Sequence, residues 1–237
     1  MSFFNNSNDK LLYKKDEAER PFWISFSDLM SALMVLFLVA MSVAMISITE
    51  QITETEEVKN ERQDEINELL ETLAIETQSF DGITLSGQVI DFGERARFDT
   101  NSHKLSEEQG ELLRQFIPKV LKLARNPKGE KWLKRIVVEG FADSRGNYLY
   151  NLNLSLQRSQ RVMCMLLKKE VPAELNILDK QLVKDIFRVS GASFNALKYS
   201  EEESRRIELR LEFRNVDEII YDRYASGEDD GKCPLDN

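Results

Sequence analysis

The chain has 237 residues and a formal net charge of −9. That length allows one globular domain of roughly 100 to 150 residues together with additional segments. The negative charge is spread among many Lys and Arg residues rather than opposed by a basic patch, so no nucleic-acid partner is predicted. One histidine and two cysteines provide no cluster with metal-ligand spacing, and no structural zinc is expected.

An uncharged and mostly apolar run extends from Leu29 to Ile48. A helix of that length covers the hydrocarbon core of a bilayer, roughly 30 Å. A cleaved signal peptide is the alternative, but its apolar core would be shorter and would end at a small-residue cleavage site. We therefore predict a single transmembrane helix over residues 21–48.

The charges on either side of this helix differ in sign. Lys10, Lys14, Lys15 and Arg20 precede it, and a Glu-rich segment follows it. Because Lys and Arg resist translocation, we predict a cytoplasmic N-terminus, with the C-terminal domain periplasmic and the helix in a bacterial inner membrane. Residues 1–20 lack apolar periodicity and are predicted to form a flexible cytoplasmic tail.

The segment after the apolar run is rich in Glu and contains neither Pro nor Gly over residues 49–79. Its apolar residues follow a loose heptad that Lys59 interrupts: Ile52, Ile66, Leu69, Leu70 and Leu73. We predict a helical stalk or linker over residues 49–80. The pattern leaves open whether the stalk is a solvated single helix or a two-stranded coiled coil.

Residues 81–215 have the pattern of a globular α+β domain, and residues 216–237 that of a loosely ordered tail. Within the domain the pattern predicts the order β-α-β-α-β-β. The strands are Ile83 to Phe92, Ile136 to Val138, Phe187 to Val189 and Ile207 to Phe213, and the helices begin after an N-cap at Ser106 and at Asn151. A mixed sheet with helices on one face is the natural architecture for this order.

Asp28 lies one turn inside the apolar helix. An ionised Asp at the bilayer centre costs about 2.5 to 3.5 kcal/mol, so such an acid seldom lacks a partner or a role. An interfacial Asp that caps the helix start is the alternative. Ser31 and Ala32 follow on the same face and form a stripe of small residues that a partner helix can approach. We predict that Asp28 binds an ion, with Ser31 beside it.

The run from Pro21 to Val39 resembles the membrane helix of MotB-type stator subunits. In that family a Trp is followed by an aromatic residue, a small residue, Asp, an apolar residue, Met, Ser or Thr, and Ala; here those positions hold Trp23 and Phe26 through Ala32. The resemblance implies that Asp28 alternately binds and releases a proton or sodium ion, with no other cofactor. It also implies a homodimer inside a pentamer of MotA-like membrane subunits.

A second cluster starts at Gly140-Phe141-Ala142-Asp143 and continues to Arg158 in the following helix. The residues alone leave open a surface salt bridge or a pocket shared by an acid and a guanidinium. The fuller pattern over residues 88–214 resembles the OmpA-like peptidoglycan-binding domain, whose signature is Gly-His-Thr-Asp-x-x-Gly followed by Asn-x-x-Leu-Ser-x-x-Arg.

This resemblance implies that Asp143 holds the ammonium and Arg158 the carboxylate of the diamino acid in the peptidoglycan stem peptide. It also implies that Asn151 and Leu154 shape the pocket floor. The sequence departs from the signature where Phe141 and Ala142 replace His and Thr. Tyr150 and Tyr148 are candidates to compensate by stacking on sugar or peptide, and packing is the alternative.

Cys164 and Cys233 are the two cysteines. Cys164 lies on the apolar side of its helix, where a core thiol is the simplest interpretation. An oxidising periplasm would instead allow the two to form a disulfide that ties the tail to the domain, and the sequence leaves both open.

No paired nucleophile and base and no glycine-rich phosphate loop is present, so the chain is not predicted to be an enzyme. The leading hypothesis is a peptidoglycan-anchored stator-like subunit of an ion-driven rotary motor. Pro21-Phe22-Trp23 and Tyr148-Leu149-Tyr150 resemble MotB-like subunits of anti-phage defence systems more than flagellar ones. A flagellar stator subunit and a passive wall anchor with an interfacial Asp28 are the alternatives.

Overall fold

The computed structural model describes residues 9–219 and 231–236. The chain divides into two compact units, of which the first ends at Val58 and the second begins at Lys59. The predicted tails, residues 1–20 and 216–237, lie partly outside the described residues. The helices are α1 (Asp9–Gln78), α2 (Glu107–Ala124), α3 (Pro127–Trp132), α4 (Tyr148–Leu167), α5 (Ile177–Ile186) and α6 (Glu201–Ser204), and the strands are β1 (Thr84–Ser86), β2 (Val89–Asp91), β3 (Leu133–Gly140), β4 (Phe187–Gly191) and β5 (Ile207–Phe213).

Helix α1 begins at Asp9, inside the segment predicted to be an unstructured tail. The tail prediction is therefore wrong from Asp9 onward, since residues 9–20 contain no Pro or Gly and are rich in the helix formers Lys, Leu, Glu and Ala. Among the described residues, α1 is the one helix long and apolar enough to cross a membrane by length and composition. Its apolar side chains between Phe26 and Ile48 are all exposed in the single chain.

The predicted helical stalk is confirmed as the last part of α1, and from Lys59 onward this part belongs to the second unit. Ile66, Leu69 and Leu73 are each at most 3% exposed, and the last two join the main hydrophobic cluster of that unit. The globular unit therefore begins about twenty residues before the predicted boundary at residue 81. An apolar stripe of this spacing fits a coiled coil and an intrachain core equally well, and here these residues pack within their own chain.

Acidic residues of α1 fix this packing by pairing with lysines of α2 and α3. The Glu76 carboxylate lies 2.9 Å from the Lys119 ammonium, and the Glu65 carboxylate lies 2.8 Å from that of Lys131. Exposed pairs of this kind contribute little stability individually, so their main effect is to select the register in which the apolar stripe docks.

The five strands form one mixed sheet in the order β1-β2-β5-β3-β4, in which only β3 and β4 are parallel. The predicted strand from Ile83 to Phe92 is instead the hairpin β1-β2, in which Ser86 pairs with Val89. Gly87 between them has φ +58°, a left-handed conformation that tight hairpin turns require and that Gly adopts without steric cost.

One face of the sheet carries the core. Inward-facing residues of β3 and β5, such as Val138 and Leu209, are fully buried with those of α2 and α4. The other face carries cross-strand ion pairs, including Arg210 with Glu139 at 2.6 Å. The prediction of a mixed sheet with helices on one face is confirmed, and helices α3, α5 and α6 are additions that the sequence pattern did not predict.

Candidate functional site

The predicted ion-binding residues lie on the exposed surface of α1. The Asp28 side chain is exposed in the single chain. The Ser31 hydroxyl donates a hydrogen bond to the Ser27 carbonyl oxygen at 2.8 Å, one helical turn back. Ser31 therefore has acceptor lone pairs for a bound cation, whereas its proton is committed to the helix backbone. The role of both residues in ion binding stays a prediction.

The predicted peptidoglycan site is built where β3 ends. At Gly140 an added Cβ would lie 2.1 Å from the Ser155 carbonyl oxygen, so only glycine allows α4 to approach the strand this closely. Beyond it, the Phe141 N–H donates to the Arg206 carbonyl at 3.0 Å and the Ala142 N–H to the Ser193 carbonyl at 2.8 Å. These bonds fix the loop that presents Asp143.

The two residues that replace the signature His and Thr do not face a ligand. Phe141 and Ala142 are 3% and 1% exposed. The Arg206 guanidinium carbon lies 4.0 Å from the centre of the Phe141 ring, an arrangement typical of a cation–π contact. In this chain, both positions therefore belong to the packing beneath the loop.

Asp143 accepts hydrogen bonds from two arginines. Its Oδ2 lies 2.7 Å from Arg145 Nη2 and 3.2 Å from Arg205 Nη1, and its Oδ1 accepts from the Arg145 backbone N–H at 3.2 Å. Burial alone would raise the pKa of Asp143, but the hydrogen bonds from Arg145 and Arg205 outweigh it and the pKa is lowered. Asp143 is therefore an ionised acceptor at neutral pH, although it is only 6% exposed.

Arg158 is enclosed by the loops around Asp143. Its side chain is fully buried, and its three nitrogens donate to the carbonyls of Ser102 (2.9 Å), Phe141 (2.6 Å) and Asp99 (3.1 Å). Burial lowers the pKa of this guanidinium to about 10, so it remains charged at neutral pH. In this conformation Arg158 joins the loops around Asp143 through three of its five N–H groups, and its contact with a ligand carboxylate stays a prediction.

The other predicted residues support the loop or line its rim. Asn151 is buried, and its amide donates to the Arg145 carbonyl at 2.7 Å, while Leu154 is buried on the same helix. Tyr150 is about half exposed, and its hydroxyl donates to the Asn101 side-chain oxygen. Tyr150 is therefore at the rim, available to stack on a ligand, whereas Asn151 and Leu154 act from beneath.

Sequence reasoning missed the residues that surround Asp143. Arg145 contacts Glu201 and Thr100, each at 3.2 Å, and Arg205 donates from Nε to the Phe98 carbonyl at 3.0 Å. Arg145 occupies a variable position of the signature, and the other residues come from distant parts of the chain. An available signal was the position of Arg145, two residues after Asp143 in the same loop.

The two cysteines are joined as Cys164–Cys233, with their Cα atoms 5.5 Å apart. Of the two alternatives, a free thiol in the core and a disulfide, the structure contains the disulfide. Next to it, Arg161 donates to the Leu235 carbonyl at 3.0 Å and pairs with the Asp236 carboxylate. These contacts hold residues 231–236 against α4.

The OmpA family model matches residues 97–206. The Zorya protein ZorB of Escherichia coli O139:H28 (strain E24377A / ETEC) is 43% identical over 215 residues, which cover 89% of this chain and 87% of that protein. Among solved structures, the periplasmic domain of Helicobacter pylori MotB aligns over 57% of this chain and 83% of its own at 15% identity, with a TM-score of 0.40. The cell wall anchor of the T6SS from Pseudomonas aeruginosa aligns over 60% of this chain and 95% of its own at 17% identity, with a TM-score of 0.38. Because the 43% identity extends over most of both chains, this chain belongs to the family of the Zorya protein ZorB.

Proposed function

We propose that this chain is a peptidoglycan-anchored, stator-like subunit of an ion-driven rotary membrane motor used in anti-phage defence. The observation that carries the proposal is that one chain combines two features. An acid, Asp28, lies in an apolar helix, and the second unit, from Lys59 onward and called the outer unit below, contains the match to the OmpA family. The 43% identity to the Zorya protein ZorB supports it. The chain itself carries out no enzymatic chemistry under this proposal.

In the membrane, two copies of the chain stand inside five copies of a MotA-like, ZorA-type subunit, with their N-termini in the cytoplasm. A carboxylate exposed on a helix long enough to span a bilayer needs a protein partner that offsets the cost of removing the carboxylate from water. The adjacent small residues allow a partner helix to approach it. Each H⁺ or Na⁺ that binds Asp28 and crosses 100 mV releases about 2.3 kcal/mol, which drives one step of the partner ring.

Outside the membrane, the second unit holds the chain to peptidoglycan and so keeps it stationary while the partner ring turns. The ionised and nearly enclosed Asp143, backed by Arg205, is the group suited to an ammonium of the stem peptide. Arg158 positions the loops, and Tyr150 at the rim offers an aromatic surface to the sugar or peptide.

The motor function is tested by replacing Asp28 with Asn in cells that carry the chain with its neighbouring genes. We expect loss of phage protection with unchanged amounts of the chain and its partner in the membrane fraction, because Asn cannot take up or release a proton. Asp28→Glu retains the carboxylate and should keep partial protection. Full protection with Asp28→Asn would overturn the ion role and favour a passive anchor.

The anchor function is tested by co-sedimentation of the full chain in detergent with purified peptidoglycan sacculi. We expect Asp143→Asn to abolish binding, because the neutral amide loses the charge that holds an ammonium. The matched control is Asp81→Asn, an exposed acid in the same unit, which should bind like the unsubstituted chain. Equal binding by all three proteins would remove Asp143 from the site.

A further inference from the structure

We propose that residues 231–236 cover a binding site for an acidic peptide on helix α4, and that the Cys164–Cys233 disulfide keeps this site closed. In the oxidised chain the site holds the chain's own Asp236, and reduction of the disulfide opens it to an outside ligand. This inference goes beyond the proposed function and does not depend on it.

The centre of the site is Arg161, which is only 8% exposed. The described residues supply two acceptors for its guanidinium, and both belong to the C-terminal segment. Nη2 donates to the Leu235 carbonyl at 3.0 Å, and Nη1 donates to the Asp236 carboxylate. The Nε atom is buried and has no hydrogen-bond partner in this part of the chain. Because a buried charge without its counter-ion is costly, Arg161 would bind another carboxylate if Asp236 left.

Positive charge surrounds the position of Asp236. A cavity of about 450 Å³ separates the C-terminal segment from the loop that precedes α2, and its lining includes His103, Lys104, Arg161, Leu235 and Asp236. Burial lowers the pKa of His103 and the charges of Arg161 and Lys104 lower it further, whereas Asp236 acts in the opposite direction. The cavity therefore favours an anion, and the segment supplies one.

The seated segment indicates the class of ligand. It presents to Arg161 one backbone carbonyl, from Leu235, and one carboxylate from the next residue. A guanidinium fork suits two such oxygens, and the carboxylate provides the counter-charge. An extended peptide in which an acidic residue follows an apolar one offers the same two groups in the same order. Such a peptide is therefore the ligand that fits the site.

The disulfide keeps Asp236 close to Arg161. Cys164 lies one helical turn after Arg161, and Asp236 follows Cys233 by three residues. A short tether holds a ligand at an effective concentration on the order of millimolar or above, so an outside peptide competes poorly. Without the disulfide, Asp236 is joined to the outer unit only through the chain that precedes Gly231. The longer tether lowers its effective concentration, and the site becomes available.

A dithiol can reach this disulfide. Both cysteines are half-buried and line a second cavity, of about 500 Å³, together with Lys168 and Lys169, whose charges attract a thiolate. The thiolate forms a mixed disulfide with one cysteine sulfur, and the other sulfur leaves as a thiolate and takes up a proton. The second thiol of the reductant then displaces the remaining cysteine. The dithiol is thereby oxidised to its own disulfide, and both cysteines become thiols.

The test uses the full chain in detergent and the peptide acetyl-Pro-Leu-Asp-Asn-amide, which copies residues 234–237. His103 is the only histidine of the chain, so the NMR signal of its C2–H reports binding at this site. We expect the peptide to bind about tenfold more tightly after the chain is reduced with dithiothreitol, because the competing carboxylate is then on a longer tether. The uncharged control, acetyl-Pro-Leu-Asn-Asn-amide, should not shift the signal.

Three variants separate the tether, the charge and the reductant. Asp236→Asn keeps the disulfide but removes the competing charge, so the oxidised variant should bind the acidic peptide about tenfold more tightly than the oxidised parent. The matched control is Asp217→Asn, an exposed acid of the same unit, which should bind like the parent. Replacing Cys164 and Cys233 together with Ser should give the affinity of the reduced chain, with no response to dithiothreitol.

Equal peptide affinities of the oxidised and reduced chains, with the His103 signal at its folded position in both, would overturn the inference. If reduction unfolds the outer unit, the signal moves to the position of an unfolded chain, and the oxidised Asp236→Asn variant decides instead. Binding no tighter than that of the oxidised parent would then overturn the inference. Sacculi are absent from these measurements, so a failure here and a failure of peptidoglycan anchoring are distinguishable.

Discussion

Asp28 and Asp143 both have carboxylates with a proposed ionic ligand, but the two side chains differ in their exposure and in their partners within the chain. Asp28 is exposed in the apolar part of α1, and under the proposal another protein completes its surroundings. Asp143 is enclosed by its own chain, with two arginines on its oxygens. The contrast teaches that the proposed ligand of Asp143 would enter a site built by the fold itself, whereas the proposed ion site at Asp28 would be completed by residues of another protein.

The largest expected effect separates the two arginines near Asp143. Arg158→Ala should destabilise the outer unit by about 4 kcal/mol, because it leaves three loop carbonyls without their charged donor and opens a cavity. Arg145→Ala should change stability by less than about 0.5 kcal/mol, since Arg145 is half exposed. Denaturant unfolding of the full chain, followed by Trp132 fluorescence in a Trp23→Phe background, measures both. An Arg158→Ala protein as stable as its parent would return Arg158 to the role of a ligand contact.

A second test compares two faces of α1 within the outer unit. Leu73 is 1% exposed and Ile75 is 69% exposed. Leu73→Ala should cost about 3 kcal/mol of unfolding free energy through lost burial and an unfilled cavity. Ile75→Ala should cost less than about 0.5 kcal/mol in the same fluorescence assay. Equal costs would contradict the placement of this part of α1 in the core and favour a stalk that stands apart.

A third test addresses the link between α4 and the C-terminal residues. Replacing both Cys164 and Cys233 with Ser should lower the unfolding free energy of the outer unit by about 2 to 4 kcal/mol, because the unfolded chain loses a long covalent loop. Adding a reductant to the unsubstituted chain should give the same shift, and the double variant should not respond to reductant. A reductant-insensitive parent would mean that the disulfide contributes no stability.

The smallest expected effect is the pH dependence of the stability that Asp143 contributes. Because the pKa of Asp143 is lowered in the folded chain, its charge stabilises the outer unit above the unfolded pKa of about 4, and this contribution is lost as the pH falls through the lower folded value. The stability difference between the unsubstituted chain and Asp143→Asn should therefore be full at pH 7 and shrink below about pH 4. A stability difference that stays constant as the pH falls through this range would contradict the lowered pKa of Asp143.

Most of the sheet and its two long helices followed from the sequence, because alternating and helical apolar spacing are local properties. The strand Ile207–Phe213 and the N-cap at Ser106 appear as the pattern predicts. The docking of residues 59–78 did not follow, since the same apolar stripe suits a partner helix or an intrachain core. The hairpin at Gly87 was hidden inside an apparently continuous strand.

The sequence by itself determined the apolar helix with its acid, the order of the main strands and helices, and the loop that carries Asp143, because each depends on neighbours in the chain. Only the tertiary structure decided that Arg158 is enclosed by three carbonyls, that Arg145 and Arg205 share Asp143, and that Cys164 meets Cys233. These pairings join residues from separate segments. Which guanidinium meets the acid depends on burial and distance, and those arise only when the segments pack together.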